Sequence, residues 1–207
     1  MILGKSIFLR AMDEDDLPLL LAWLNDPVIS RLVGGWTYPT SMTEQKEWFK
    51  RTLQDRSVKR LIVQSPVDGV IGLTGLWEID WQNRHALTAL KIGASDIRGK
   101  GYGTDAIMTM MAYAFHTIGL NRLWGLILEY NIPSYKAYVE KCGWKVEGIN
   151  RQHIYRDGKY HNQLRVGILR DEFYNLPNAK DYVDTELIRS TSPIVKIKDE
   201  HKANNLD

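Results

Sequence analysis

The sequence predicts an α/β (α+β) domain built on a mixed, mostly antiparallel central sheet flanked by helices. Three observations carry that expectation. Residues 60–92 hold three apolar runs separated by turn residues, which read as a meander of adjacent strands. At residue 103 the apolar spacing changes to that of a helix. Beyond that helix, Leu123-Trp124-Gly125-Leu126-Ile127-Leu128 is a continuous apolar run, the signature of a buried strand. A further helix and further strands follow, and helices interleaved with strands must pack on the sheet to bury both.

The elements follow in order. Ile7-Phe8-Leu9-Arg10 is strand-like and leads into the acidic cluster Asp13-Glu14-Asp15-Asp16. Leu17 to Leu24 reads as a helix. The carboxylates before it suit its free N–H groups and the positive end of its dipole, and Asn25-Asp26-Pro27 stops it. Gly34-Gly35-Trp36-Thr37-Tyr38-Pro39 is loop. Ser41 and Glu44 form a capping box that starts a second helix, with Trp48, Phe49 and Leu53 as its apolar face. Strands are expected over 60–64, 70–79 and 86–92, joined by Ser65-Pro66-Val67-Asp68-Gly69 and by the turn from Asp80 to Arg84. Thr104 to Ile118 carries apolar residues at helical spacing and closes at Gly119; Pro133 to Lys141 is a shorter helix closing at Gly143. Strands over 144–149, 152–156 and 162–169 complete the sheet, with Asp157-Gly158 as a hairpin turn. After Leu176-Pro177-Asn178 the composition turns polar. The expected division is therefore a domain over 1–176 and an extension over 177–207, which docks on that domain or on a partner subunit in a homodimer.

Composition excludes several function classes. The 207 residues hold 27 Lys+Arg and 25 Asp+Glu, and the net charge of +2 is too small for a general nucleic-acid binder. At 44% hydrophobic and 25% charged, the chain has ordinary globular composition. The lone Cys142 excludes an intramolecular disulfide framework and a multi-cysteine zinc site, and no metal is expected. No apolar run approaches the roughly 20 residues of a membrane span. Met1-Ile2-Leu3-Gly4-Lys5 lacks the basic-then-apolar pattern of a signal peptide, so the expected location is the cytoplasm, without a membrane partner. Seven Trp and ten Tyr form a surplus of aromatics whose polar tips need partners. Trp36, Tyr38, Trp48, Trp77 and Trp81 read as core and lid; any that line an acceptor cleft would favour a sugar or nucleotide ring.

The most informative residues are Ile97-Arg98-Gly99-Lys100-Gly101-Tyr102-Gly103-Thr104. Glycines let a backbone turn tightly and approach a ligand, the helix that begins here adds the positive end of its dipole, and Arg98 and Lys100 add charge suited to phosphate. The P-loop spacing is absent, and the dinucleotide fingerprint fails because Ala106 stands where its third glycine belongs. What fits is Arg-x-x-Gly-x-Gly at Arg98, Gly101 and Gly103. A glycine-rich helix cap without a ligand is the plain alternative.

This motif resembles the acetyl-coenzyme A pyrophosphate motif [Arg/Gln]-x-x-Gly-x-[Gly/Ala] of the GNAT acetyltransferase superfamily. Lys91-Ile92-Gly93 with the loop to Ala106 resembles its ribosomal-protein N-terminal acetyltransferase-like branch. So do Asn131-x-x-Ser134, Glu140-Lys141-Cys142-Gly143-Trp144, and Arg156-Asp157-Gly158-Lys159-Tyr160. The resemblance covers roughly residues 5–175 and implies N-acetyl transfer from acetyl-CoA to a primary amine by direct attack in a ternary complex. It implies that the backbone of Lys91, Ile92 and Gly93 holds the pantetheine arm, and that the amides of Arg98, Gly99, Lys100, Gly101, Tyr102, Gly103 and Thr104 hold the pyrophosphate. Asn131 would bond the pantetheine or phosphate end. A tyrosine would protonate the departing sulfur: Tyr138 counting forward from Asn131, with Tyr135 as the fallback. Counting back from Gly143 gives Val139, because this helix is one residue longer than the family spacing; a bulge or the helix end can absorb that residue.

The general base is open. Leu87-Thr88-Ala89 carries no carboxylate where many relatives have Glu; Glu78, Asp80 and His85 are the nearby candidates, with Glu78 chosen for a pKa that burial would raise. A water chain to a more distant acid is equally open. His153 and His161 flank a hairpin turn, and His161 is a candidate for the acceptor pocket; Cys142 reads as a small buried residue. The acceptor is expected to be a small molecule: an amino sugar, also in nucleotide-linked form, a polyamine or an aminoglycoside. A protein N-terminus, or an acetyl-CoA-binding module without catalysis, are the alternatives.

Overall fold

The computed structural model describes residues 1–35, 38–93, 97 and 99–183. Its strands are β1 (Ile2–Leu3), β2 (Phe8–Ala11), β3 (Lys59–Ser65), β4 (Gly69–Asp80), β5 (His85–Ile92), β6 (Arg122–Leu128), β7 (Lys145–Arg156) and β8 (Lys159–Leu169). They form one sheet in the order β1-β2-β3-β4-β5-β6-β8-β7. Every neighbouring pair is antiparallel except β5 and β6. Those two are joined through α4 (Tyr102–Ala112), the crossover that a parallel pair requires. The expected mixed, mostly antiparallel sheet flanked by helices is the observed fold.

Two apolar layers hold the helices to the sheet. On one face, Met108, Met111 and Phe115 of α4 and its continuation pack on Leu9, Val63 and Ile71. On the other, α1 (Leu17–Asn25), α2 (Pro27–Leu32) and α3 (Met42–Gln54) bury Leu17, Leu20, Trp23 and Ile29 against Ile62 and Leu73. Ser41 and Glu44 make the expected capping box at the start of α3, with Ser41 N–H donating to Glu44 Oε2 at 2.7 Å. Leu53, expected on the apolar face of α3, is exposed, whereas Trp48 and Phe49 pack inward.

Three features add detail to, or depart from, the expected elements. Pro27 stops α1 but also opens α2, whose N–H groups at Val28 and Ile29 donate to the Asp26 carboxylate. The strands expected at 144–149 and 152–156 are one strand, β7, with register shifts at Val146/Gly148 and Asn150/Ile154. Gln152 takes a φ of 52° within it, and its N–H is held by the Asn162 side chain. The polar composition after Leu176 also conceals packing. Beyond α6 (Arg170–Tyr174) the chain enters α7 (Lys180–Val183), where Tyr182 and Val183 pack on the larger core and Asp181 pairs with Lys5 at 2.7 Å. Residues 184–207 lie outside the described residues. No helix among those described is long and apolar enough to cross a membrane.

Candidate active site

The parallel ladder between β5 and β6 is short: it pairs His85–Leu87 with Arg122–Trp124 and then stops. Beyond that point the strands diverge, and a cavity of about 670 Å³ fills the wedge between them. β5 lines it from Thr88 to Ile92 and β6 from Gly125 to Leu128. The start of α4 forms one end, and Ile29 and Leu32 of α2 close a side. The divergence leaves the inner backbone edge of β5 without a strand partner, which suits an extended amide-bearing ligand that adds to it.

The glycine turn is built for an anion. Gly99 and Gly101 take φ values of 86° and 87°, where a side chain is strained, and a Cβ on either would project into open space. Gly101 is the N-cap of α4 and no side chain caps that end, so the first-turn N–H groups at Tyr102, Gly103 and Thr104 face the cavity. The loop is anchored from behind. The Tyr102 hydroxyl donates to Asp68 at 2.6 Å, and Lys100 pairs with the same carboxylate at 3.0 Å. Lys100 is thus tied to the β3–β4 turn. Arg98, expected beside it on the phosphate, lies outside the described residues.

Gly93 is needed for a different reason. A Cβ there would stand 1.8 Å from the Trp23 indole, so the end of β5 runs directly against α1. Lys91 and Ile92 both line the wedge. Asn131 lines it as well, but its amide is used within the protein: Oδ1 accepts from Ser134 N–H at 3.1 Å and Nδ2 donates to the Leu32 carbonyl at 2.7 Å. It caps α5 (Ile132–Tyr135) and ties that helix to α2.

The helix after Asn131 is one residue too long for the family spacing. It continues past α5 as a π-helical segment, Lys136–Lys141, which absorbs that residue. Tyr138 is thereby turned into the wedge; Tyr135 and Val139 pack on the core instead and do not line it. The Tyr138 ring stands edge-on to Trp144, with centroids 4.9 Å apart, and burial followed by the neighbouring Cys142 pushes its phenol pKa up. At neutral pH the hydroxyl holds its proton.

The candidate bases fall outside the wedge. Glu78 sits on a β4 bulge at φ 49° and is exposed to solvent, so the burial expected of it is not there. Asp80 holds the following turn by accepting from Asn83 N–H at 2.7 Å and lies 3.6 Å from His85. His161 is turned toward Glu129, at 3.2 Å, and against the Tyr130 ring; His153 is exposed on β7. Cys142 is buried, and its pKa is pushed up by that burial to about 12. Among the described residues no carboxylate or histidine lines the cavity, whereas Lys91, Lys136 and Lys141 do. No group of residues suited to a metal occurs among those described.

Sequence reasoning missed the α2 wall. The Asp26-Pro27 pair, an N-cap followed by a proline at the first helical position, was the signal that a helix starts there.

Comparisons with known proteins agree with this geometry. The Acetyltransferase (GNAT) domain family matches residues 6–145. The SPbeta prophage-derived, uncharacterized N-acetyltransferase YokL of Bacillus subtilis is 24% identical over 82% of this chain and 93% of its own length. The spermidine N(1)-acetyltransferase of Vibrio cholerae is 25% identical over 84% of this chain and 98% of its own. The crystal structure of the spermidine N-acetyltransferase from that organism, in complex with CoA and spermine, superposes with a TM-score of 0.77 at 26% identity, covering 82% of this chain and 99% of that one. The ribosomal-type branch finds only partial support: the candidate ribosomal N-acetyltransferase YdaF of Bacillus subtilis matches 49% of this chain and 55% of its own length. That narrower assignment is not supported beyond this partial match. A wedge between diverging strands, a glycine turn at a helix N-terminus and a family match over most of the chain meet in one conclusion: the chain belongs to the GNAT acetyltransferases and is an N-acetyltransferase that takes its acetyl group from acetyl-CoA.

Proposed function

We propose that the chain acetylates the primary amine of a small molecule by direct attack within a ternary complex, with Tyr138 as the proton donor to the departing sulfur. The observation that carries this reading is the π-helical segment, which places a protonated, cavity-lining phenol in the wedge. Acetyl-CoA supplies an activated thioester carbonyl. The edge of β5 at Lys91–Gly93 orients the pantetheine amides, and the N–H groups from Gly99 to Thr104 hold the pyrophosphate. Lys136 and Lys141 offset its remaining charge. Tyr138 gives its proton to the thiolate as the carbon–sulfur bond breaks. With no acid or histidine on the described lining, the ammonium of the acceptor loses its proton to solvent at the cavity mouth.

The acceptor class rests on the likeness, over 84% of this chain, to an enzyme named for spermidine, and amino sugars, polyamines and aminoglycosides all remain within it. Cytoplasmic location and a homodimer are parts of the same proposal. The test is thioester consumption with a panel of small amines and an N-terminal peptide. Tyr138→Phe should lower kcat by about 100-fold, at the lower end of general-acid effects, with the Kd of acetyl-CoA unchanged. The pH profile of kcat/KM should follow the acceptor's own ionisation. Acetylation of the peptide alone would make the chain a protein N-terminal acetyltransferase. Acetyl-CoA binding without turnover of any amine would make it a silent binding module, and a Tyr138→Phe variant with the parental rate would remove the tyrosine from the mechanism.

A further inference from the structure

On the sheet face under α1–α3, two half-buried cations lie beside the wedge. Arg60 of β3 pairs across the ladder with Gly75 of β4, and Gly75 with Ala89 of β5. The next row on the same face is Ile62, Leu73 and Lys91. Ile62 and Leu73 pack in the α1–α3 layer, which fixes the side to which these rows point. The Arg60 guanidinium lies 4.0 Å from the centroid of Trp77 and 5.4 Å from that of Trp48 on α3, so two indoles clamp it.

Between Arg60 and β5 the sheet carries only small residues. Gly75 has no side chain and Ala89 offers one exposed methyl group, which, like Lys91, lines the cavity. Two strand spacings separate Arg60 from Ala89, roughly 10 Å, a gap that two long cationic side chains can close on one anion. Neither cation forms an ion pair with a carboxylate among the described residues, and Arg60 Nε is buried without a hydrogen-bond partner. The cost is visible on both. Burial pulls the Arg60 pKa down to about 10, and Lys91 is pulled down by burial and then by Arg60 itself. Nearby acids are engaged elsewhere. Asp16 binds Arg10, Asp26 caps α2, Glu44 caps α3, and the sequence holds no acid from Pro27 to Thr43. Two cations without an ion-pair partner among the described residues, Lys91 on the wedge lining and Arg60 two strands away, lack only an anion.

We propose that Arg60 and Lys91 form an anion-recognition subsite, so that the amine this chain acetylates belongs to a molecule that also carries a phosphate or carboxylate. This rests on the acetyl-transfer reading above and narrows its acceptor. It argues against a polyamine, which brings only positive charge to a site already holding two cations. The guanidinium, held between two indoles, is a group suited to bidentate contact with a phosphate or carboxylate, and Lys91 adds a point charge.

The test compares glucosamine with glucosamine 6-phosphate, tyramine with tyrosine, and spermidine, by kcat/KM with acetyl-CoA. Calorimetric binding of glucosamine 6-phosphate and of tyrosine to the CoA-loaded protein accompanies it. The phosphate and carboxylate pairs separate the two sources of negative charge. The anionic member of at least one pair should exceed its neutral partner by about tenfold or more and should bind measurably. Arg60→Gln should collapse that ratio toward one and abolish the binding, with the Kd of acetyl-CoA unchanged, while Arg60→Lys retains part of both. Spermidine as the best acceptor, or a ratio and binding that Arg60→Gln leaves unaltered, would overturn the subsite and leave acetyl transfer standing. Arg60-dependent binding of an anionic amine with no turnover of any amine would do the reverse. Absence of both binding and turnover across the panel would overturn the subsite.

Discussion

Asp105, in the first turn of α4, offers a sharp test of how the N-terminal segment is fixed to that helix. Its carboxylate is 5% exposed and accepts from four donors: Lys5 N–H at 3.0 Å, Ser6 N–H at 2.6 Å, Ser6 Oγ at 2.8 Å and Ile7 N–H at 3.1 Å. Asp105→Ala removes all four acceptor contacts. Ile7 is enclosed, so its orphaned N–H costs about 1–3 kcal/mol, whereas Lys5 and Ser6 regain water and lose about 1 kcal/mol each. Loss of an acid from the first turn of a helix adds about 0.3–1 kcal/mol. The sum is about 3–6 kcal/mol, a large share of the roughly 5–15 kcal/mol that holds a typical domain folded. Urea unfolding followed by circular dichroism should show that loss, and Asp105→Asn, which keeps one oxygen, should fall between the variant and the parent. A loss below about 1 kcal/mol for the alanine variant would refute the reasoning, because water would then replace the carboxylate without cost.

Other outcomes follow from single contacts. Gly93→Ala forces a methyl group into the Trp23 indole, 1.8 Å away, and overpacking of this kind costs about 1–3 kcal/mol. Thermal unfolding should reveal it, together with weakened acetyl-CoA binding, since the displaced segment is the end of β5. The Asp16 carboxyl is pushed up by burial, but the bonds from Arg10 and from the Asp13 N–H outweigh this and hold it below its usual range. A depressed folded pKa stabilises above the unfolded value of about 3.9 and loses that contribution as pH falls through the folded value. Asp16→Asn should therefore be less stable than the parent at neutral pH, with the gap closing on acidification in urea titrations. Cys142, with its thiol pushed up to about 12, should react with a disulfide reagent only as fast as the protein unfolds. Rapid labelling of the native protein would contradict its burial.

Much of this fold was legible because each signal was local. The capping box at Ser41, the change of period at residue 103 and the apolar run at Leu123–Leu128 each depend on neighbours in the chain. The glycine turn was legible for the same reason. What escaped was non-local. The wedge exists because a parallel ladder stops after Leu87 and Trp124, and the spacing of apolar residues carries no trace of where a ladder stops. The merging of two expected strands into β7 depends on Asn162 holding a bulge from across the ladder. Tyr138 shows both sides. Its count from Asn131 is a local fact, but its turn into the cavity needs a π-helical segment that the sequence only hints at through one surplus residue. The Arg60 and Lys91 pair, far apart in the chain, is visible only once β3, β4 and β5 are set in register.

The central claim is that the glycine turn at the start of α4 holds the diphosphate of acetyl-CoA in the wedge between β5 and β6. Gly101→Val tests it most directly. Gly101 sits at φ 87° in open space on an exposed loop, so a β-branched side chain strains the turn and fills the cradle without meeting the core. Calorimetric titration of acetyl-CoA, with folding checked by circular dichroism, should show affinity weakened by tenfold or more in a protein that remains folded. An unchanged Kd would contradict the account and move the cofactor out of the wedge.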